Sequence, residues 1–415
     1  MPTASHSRAK HGFTLLELMV SLTIGGVAIT SIYAVGAAST RAFHQQQQIA
    51  TLQSSLRIAL GQLKRDIARA GYLSTPSVAA GMACAPPVPS ALHEPAGNGS
   101  LAAIARFDRD FCSNSANGCS NVNGTTATTE GNNRGSNFTA DAVVLMANYE
   151  TAYEYPLIGQ LDGGAGVTIN PDSHAYRTDF MTWYGTTPTD HDKPGFEAAF
   201  RDARLVRIRT SRGSHHFALI NDGGATVGSA TTLPQVRFSP AIPPGCAGDV
   251  ASEAWIAPVN AIRYYARNEA NPKPNFFGPM AQLVREEVDP TRKLERLPGD
   301  EPLPARVVLD YVVAFRLGFV MNGPTAPGQP DNFVPGVRVT AVANPERVRA
   351  VHIDLAARTP EQDERFPWSI ENCRNEDAPD SVGRCFQVFS DRPGAARVRT
   401  VHAEVFLPNV AFEGY

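Results

Sequence analysis

The order of residues at the N-terminus constrains this chain more than any other feature. Arg8-Ala9-Lys10-His11-Gly12-Phe13-Thr14-Leu15-Leu16-Glu17-Leu18-Met19-Val20 sets a short basic leader against a Gly-Phe junction, and an almost uncharged apolar run follows. A secretory signal carries its apolar region ahead of the cleavage site and loses it on processing. Here the only processing-like junction, Gly12-Phe13, comes before the apolar region, so cleavage there leaves the membrane segment in the mature chain. Leu18 to Thr40 contains no charge and no proline. It reaches the ~20 residues that a helix needs to span a bilayer core.

Glu17 interrupts this pattern at its start. A carboxylate in lipid costs roughly 2.5–3.5 kcal/mol or more, and a bare single-pass anchor has no use for one. Cutting after Gly12 creates a suitable cation, the α-amine of Phe13. In a helical array, Glu17 of one subunit meets the Phe13 amine of a neighbour and each neutralises the other. The expected consequence is a subunit that packs beside others within the membrane. The plain alternative is an ordinary N-terminal anchor.

The residues Gly12-Phe13-Thr14-Leu15-Leu16-Glu17 resemble the class III signal of type IV pilins and pseudopilins. The resemblance implies a membrane prepilin peptidase that cuts after Gly12 and methylates the new N-terminus at Phe13. The glutamate that the family carries five residues past the cut falls on Glu17.

Composition narrows the rest. The chain has 415 residues and a net charge of −3; with Arg8 and Lys10 removed in the leader, the mature chain stands near −5. No lysine- or arginine-rich block stands out, so nucleic-acid binding has no electrostatic footprint. No second long apolar run follows the first, which reads as a single pass with the basic leader in the cytoplasm. Everything after about residue 41 then lies in the periplasm. The 34 glycines and 32 prolines point to a loop-rich fold.

In that oxidising compartment the six cysteines favour disulfides. Cys112 with Cys119 and Cys373 with Cys385 are close pairs, each able to clip a surface loop for roughly 2–4 kcal/mol. Cys84 with Cys246 is the remainder. Zinc is the rival reading, but neither close pair has C-x-x-C spacing or a nearby histidine, and no residues are assigned to a metal. Asp108-Arg109-Asp110 beside Cys112 is the one triplet that could hold calcium in a loop. No cofactor is otherwise implied.

Beyond the apolar run, Ile49, Leu52, Leu56, Leu60, Leu63, Ile67 and Ala70 recur every three or four residues. That spacing makes one apolar stripe on a helix lying against a globular domain. Gly71 is its expected stop. The organisation that follows is a leader at 1–12, a transmembrane or filament-core helix at 13–40 and an amphipathic half at 41–71. A variable loop region rich in Pro, Gly, Asn, Ser and Thr occupies 72–140. A β-rich periplasmic domain fills 141–415, with room for an inserted subdomain. Strands are expected at Asp141–Tyr149, Arg204–Thr210, His216–Ile220, Ala261–Arg267, Ala281–Glu287, Val307–Val320, Val348–Ala356 and Val398–Phe406. No series of helices separates them, so the fold class is α+β: a long N-terminal helix on an antiparallel sheet, as in type IV pilins.

Lys64-Arg65-Asp66-Ile67-Ala68-Arg69-Ala70-Gly71-Tyr72 resembles the end of the long helix in PilW-type minor pilins, and Thr139–Val143 their first strand after the variable loop. Val348–Leu355 and Val401–Asn409 resemble their last strands. The resemblance implies a role in assembling or priming the filament at its tip. The implied partners are prepilin peptidase, other minor pilins, the major pilin, the inner-membrane assembly platform and the lipid bilayer. A type II secretion pseudopilin and a pilus-borne adhesin are the alternatives.

Enzyme chemistry finds no support: G-x-S-x-G, H-E-x-x-H and a phosphate-binding glycine loop are all missing from the sequence. His215-His216 reads as exposed at a hairpin edge, and Asp190–Gly195 as a turn. Glu286-Glu287 read as solvated. Arg57, Lys64, Arg65 and Arg69 face either solvent or acids on neighbouring subunits.

Overall fold

The helix α1 (Leu15–Ala68) runs for 54 residues, about 81 Å at 1.5 Å per residue. It appears in a computed structural model that describes residues 14–74, 77–78, 101–107, 139–184, 187–202, 204–227, 232–239, 241–242, 253–269, 280–288, 305–321, 348–367, 385–386, 388 and 393–412. The chain divides into two compact units, 1–51 and 52–415. The first consists, among the described residues, of Thr14 and the N-terminal part of α1. The second holds the end of α1 and every described strand.

In the second unit α1 buries Leu52, Leu56, Ala59, Leu63 and Ile67. This is the stripe expected from the sequence, with Ala59 added and with Ile49 and Leu60 only half-buried. α1 ends at Ala68. Gly71 follows at φ +81°, where a Cβ would approach Val410 to 3.2 Å. The turn needs both the positive φ and the missing side chain. The Asn409 side chain caps the helix end by donating to the Ala68 carbonyl at 3.2 Å.

Nineteen strands follow among the described residues. A short pair, β1 (Ser77–Val78) and β2 (Leu101–Ala102), stands apart. β3 (Ile104–Phe107), β4 (Thr139–Ala140), β5 (Ala142–Ala147), β6 (Tyr155–Gln160) and β7 (Gly166–Ile169) come next. After α2 (His174–Phe180) lie β8 (Met181–Tyr184) and β9 (Thr187–His191), which pair with each other. After α3 (Lys193–Ala199) lie β10 (Leu205–Thr210), β11 (His215–Thr226), β12 (Gln235–Phe238), β13 (Ala254–Glu269), β14 (Met280–Val288) and β15 (Arg306–Asp310). The chain closes with β16 (Val312–Met321), β17 (Val348–Arg358), β18 (Cys385–Phe386), β19 (Ala396–Phe406) and α4 (Pro408–Phe412). The architecture is α+β, and among the described strands the pairing is antiparallel except for β4 beside β16.

Pairings β10–β11, β11–β12, β12–β7, β7–β6, β6–β13 and β13–β10 form a closed ring. Trp255 and Ile256 close it, standing opposite Arg209 and Ile208 on one flank and Pro156 and Tyr155 on the other. Alternate residues point inward: Tyr155 and Leu157, Val167 and Ile169, Val206 and Ile208, Ala218 and Ile220, Val236 and Phe238, Ala254 and Ile256 share one buried cluster. Period-2 alternation around a small barrel fills its interior in this way. Tyr176 and Phe180 of α2 and Phe196 of α3 join the cluster, with Phe180 and Phe196 ring centroids 5.2 Å apart.

β13 is long enough to belong to two structures. Its first half closes the barrel, and Asn260–Glu269 pairs with β5 and β14 in an open sheet that also includes β3 and β15. Pro258 falls between the end of the β6 pairing at Ile256 and the start of the β5 pairing at Asn260. A residue with no N–H is tolerated where the ladder is interrupted.

A separate five-stranded sheet has the order β18-β19-β17-β16-β4. The buried stripe of α1 shares one core with Val143, Leu145, Ile262 and Tyr264 of the open sheet and with Phe315, Leu317, Val351, Ile353 and Leu355 of the five-stranded sheet.

Val307–Val320 departs from its expected form as one strand. The chain turns at Tyr311, which sits at φ +58°, and passes from β15 in one sheet to β16 in the other. Arg358 holds that corner. Its N–H donates to the Tyr311 carbonyl at 2.9 Å and its guanidinium lies 5.0 Å from the ring centroid. A second crossing occurs at buried Asp141, whose carboxylate accepts the Leu317 N–H at 2.8 Å. Asp190–Gly195 is also corrected. It forms the end of β9 and the start of α3, with Asp192 as the N-cap accepting the Gly195 N–H at 3.1 Å.

Candidate functional site

Thr14 stands at the threshold of α1. Its Oγ1 accepts the Glu17 N–H at 3.2 Å, and its carbonyl accepts the Leu18 N–H at 3.1 Å. Thr14 is therefore the N-cap and Glu17 the third helical residue, the T-x-x-E spacing of a capping box. A carboxylate in the first turn also meets the positive end of the helix dipole, worth about 0.3–1 kcal/mol. Glu17 thus has a role inside its own helix beside the one expected between subunits. The Thr14-x-x-Glu17 spacing was the signal for it. The cap uses the Glu17 backbone N–H, and the residue itself is exposed.

Among the described residues the apolar part of α1 is almost wholly exposed. Leu15, Leu22, Ile32 and Tyr33 are each more than 70% accessible. The helix is long and apolar enough to cross a membrane, and none of its most apolar stretch is buried. A helix apolar all round needs lipid or other helices for company. Its hydroxyl groups are adapted to that setting. Ser21 donates to the Glu17 carbonyl at 2.7 Å, Thr30 to Gly26 at 2.9 Å, Ser31 to Val27 at 2.8 Å and Thr40 to Gly36 at 2.9 Å. Each hydroxyl finds its partner within the helix, as an environment without water requires. A Cβ added at Gly25, Gly26 or Gly36 would meet nothing, so no packing among the described residues demands glycine there.

In the second unit the end of α1 is fixed by an ion pair. Asp66 accepts the Tyr264 hydroxyl at 2.5 Å and Arg285 Nε at 2.7 Å. The Tyr149 hydroxyl donates to the Asp66 carbonyl at 2.8 Å. Burial, reinforced by the Asp66 charge, pushes both tyrosine hydroxyls above their ordinary pKa. Burial alone would lower the Arg285 pKa, but its hydrogen bond and charge contact with Asp66 raise it. Arg69 is turned inward as well. It donates to the Asn148 carbonyl at 2.7 Å and lies 5.6 Å from the Tyr149 ring centroid. Of the four helix cations read as facing solvent or a partner, Arg57, Lys64 and Arg65 are exposed and Arg69 is not.

Other expectations change in the folded domain. His216 is buried on β11 rather than exposed, standing opposite Ile208 of β10. Burial, with Arg207 and Arg209 nearby, lowers the His215 pKa to about 4. Glu286 and Glu287 are paired rather than solvated: Glu286 accepts from Arg263 at 2.9 Å, and Glu287 from Arg204 at 2.8 Å and Asn260 at 3.0 Å. Burial alone would raise the Glu154 pKa, but Arg209 and Arg207 bring it below the usual carboxylate value.

Cys385 is buried and disulfide-bonded, and its partner lies outside the described residues. Gly12, Phe13, Cys84, Cys112, Cys119, Cys246, Cys373 and the Asp108–Asp110 triplet also lie outside them.

Residues 7–33 match a family model described as the prokaryotic N-terminal methylation motif. No curated protein and no solved structure matches the chain. The motif supports a type IV pilin-like or pseudopilin protein, handled by a peptidase and assembled with other pilins. With the apolar N-terminal helix, it suggests membrane anchoring.

Proposed function

We propose that this chain is a PilW-like minor pilin of the type IV pilus system. It is made with residues 1–12 in the cytoplasm, cut after Gly12 by prepilin peptidase and methylated at Phe13. The mature chain is held in the inner membrane by a single pass, with the β-rich domain in the periplasm. It then joins other minor pilins to prime or cap the filament and moves with it to the cell surface. Residues 13–40 pack in the membrane and later in the filament core, 41–71 continue as the amphipathic half, and the domain after them makes outward contacts. Cys112–Cys119, Cys373–Cys385 and Cys84–Cys246 are the proposed disulfides.

The observation that carries this reading is the methylation motif at residues 7–33 leading into a helix whose most apolar stretch is unburied among the described residues. Its work is assembly rather than turnover. Glu17 has a carboxylate available for a neighbour's Phe13 amine once the cap has used only its backbone. The same motif occurs in pseudopilins, so a type II secretion role is the second reading.

Mass spectrometry of the mature N-terminus tests the processing. The expected product begins with N-methylated Phe13, and an intact Met1 start defeats the pilin reading. A chromosomal Glu17→Ala strain scored for both pili and secreted protein separates the two systems. Loss of pili with secretion intact supports the pilus, and the reverse result supports the pseudopilin. Normal piliation and normal secretion refute the proposed charge pairing.

A further inference from the structure

The outer face of the five-stranded sheet carries a group of side chains that the assembly role does not use. In the register of β17 and β19, Asp354 stands opposite His402 and His352 opposite Glu404. Cross-strand partners project from the same face. His352 Nε2 lies 3.2 Å from Asp354 Oδ1, and His402 Nδ1 contacts the same oxygen. The two imidazoles are near parallel, at an interplanar angle of 28° and a centroid separation of 6.5 Å. One ligand atom from each of His352, Asp354 and His402 falls within 4.8 Å of the other two.

We infer that His352, Asp354 and His402 form a surface site for a divalent transition-metal cation of the zinc class. Two imidazoles and one carboxylate suit zinc, copper or nickel, whereas calcium and magnesium take oxygen ligands. In a tetrahedral zinc site, ligand atoms about 2.0–2.2 Å from the metal stand about 3.3 Å apart. The group closes to that spacing through rotations of exposed side chains, because the three side chains keep 43%, 34% and 63% of their surface. The backbone is set by an unbroken ladder from Ala350 to Arg358 against β19.

The neighbours leave room for the ion. Gly318 of β16 stands opposite His352, and a Cβ added there would come no nearer than 3.6 Å to the histidine Cβ. Arg316 of β16 stands opposite Asp354, and Glu404 adds a carboxylate that offsets its charge. Three protein ligands leave a fourth position for water, Glu404 or a side chain from another molecule. Binding requires neutral imidazoles, so it weakens on acidification.

The rival arrangement is a His-Asp-His hydrogen-bond network that holds no metal. The test uses the full chain in detergent, titrated with Zn2+ against a chromophoric chelator and with Co2+ while its d–d absorption is followed. One equivalent is expected, with tetrahedral-type Co2+ bands. Loss of an outer-sphere partner already weakens metal sites 10–100-fold, so His402→Ala and Asp354→Asn are each expected to weaken this one by at least about 100-fold. Both positions are on the solvent face, and circular dichroism checks that the variants fold. The inference is overturned if the wild type binds Zn2+ no more tightly than the His352→Ala/His402→Ala double variant, or if the Co2+ bands survive in that variant.

Discussion

Asp66→Asn removes one charge from the place where α1 is fastened to the domain. The asparagine keeps the size of the side chain and an oxygen for the Tyr264 hydroxyl, so little but the Arg285 pairing is lost. A hydrogen bond to a charged group contributes about 1.5–3 kcal/mol. Breaking a buried pair costs about 3–5 kcal/mol because the partner charge is left uncompensated. The Asp66 and Arg285 side chains are 14% and 28% exposed, so water reaches the arginine and the lower range applies. The expected loss is about 2 kcal/mol. Urea unfolding of the full chain in detergent, followed by tryptophan fluorescence, measures it. Arg285→Met and the double variant complete a cycle with an expected coupling of about 1–2 kcal/mol. An Asp66→Asn variant within about 0.5 kcal/mol of wild type refutes the argument, as does a coupling near zero.

Two further outcomes follow from the barrel and the sheet corner. The His215 pKa is lowered to about 4 in the fold, while the unfolded side chain titrates near about 6.5. The unfolded chain therefore takes up a proton first, and stability falls as the pH drops from about 6.5 toward 4. The loss is about 1 kcal/mol at about pH 5 once the partly exposed ring is discounted. His215→Gln should flatten that part of a melting-temperature profile, and an unchanged profile rejects the assignment. Glu154, whose pKa is lowered, adds a separate loss only at more acid pH. At Tyr311, φ +58° strains any residue with a Cβ by about 1–2 kcal/mol. Tyr311→Gly should consequently be more stable than Tyr311→Ala by about 1 kcal/mol, and equal or reversed midpoints in denaturant titration contradict it.

The helix and most of the long strands were legible because periodicity reports burial directly. The stripe from Leu52 to Ala70 could face only a core, and the alternation along Val351, Ile353 and Leu355 could suit only a half-buried strand. Partnership was not legible. Alternation marked β10 and β11 as strands, while β6, β7 and β12 were not picked out, and nothing in it tells of ring closure, which depends on Trp255 and Ile256 pairing on both flanks. Leu309-Asp310-Tyr311-Val312 reads as one continuous strand because a change of sheet needs only one unusual backbone angle. Asp66 was hidden within a charged string, its partners Tyr264 and Arg285 about two hundred residues away. His352 and Asp354 share a strand face visibly, but register alone brings His402 to them.

The shared strand β13 also orders events in time. Its second half pairs with β5, and Ala147 meets Asn260 across more than a hundred intervening residues. Drawing such distant segments together from an unstructured chain is slow, because the closure entropy comes before any contact rewards it. Most of the intervening chain is the barrel itself, in which β6–β7, β10–β11 and β11–β12 are local hairpins and β7–β12 and β6–β13 close the ring over longer spans. Once the barrel has formed, β5 and β13 emerge from it as close neighbours, and the long search shrinks to a short one. The barrel then acts as a built-in matchmaker for the open sheet on which the end of α1 rests.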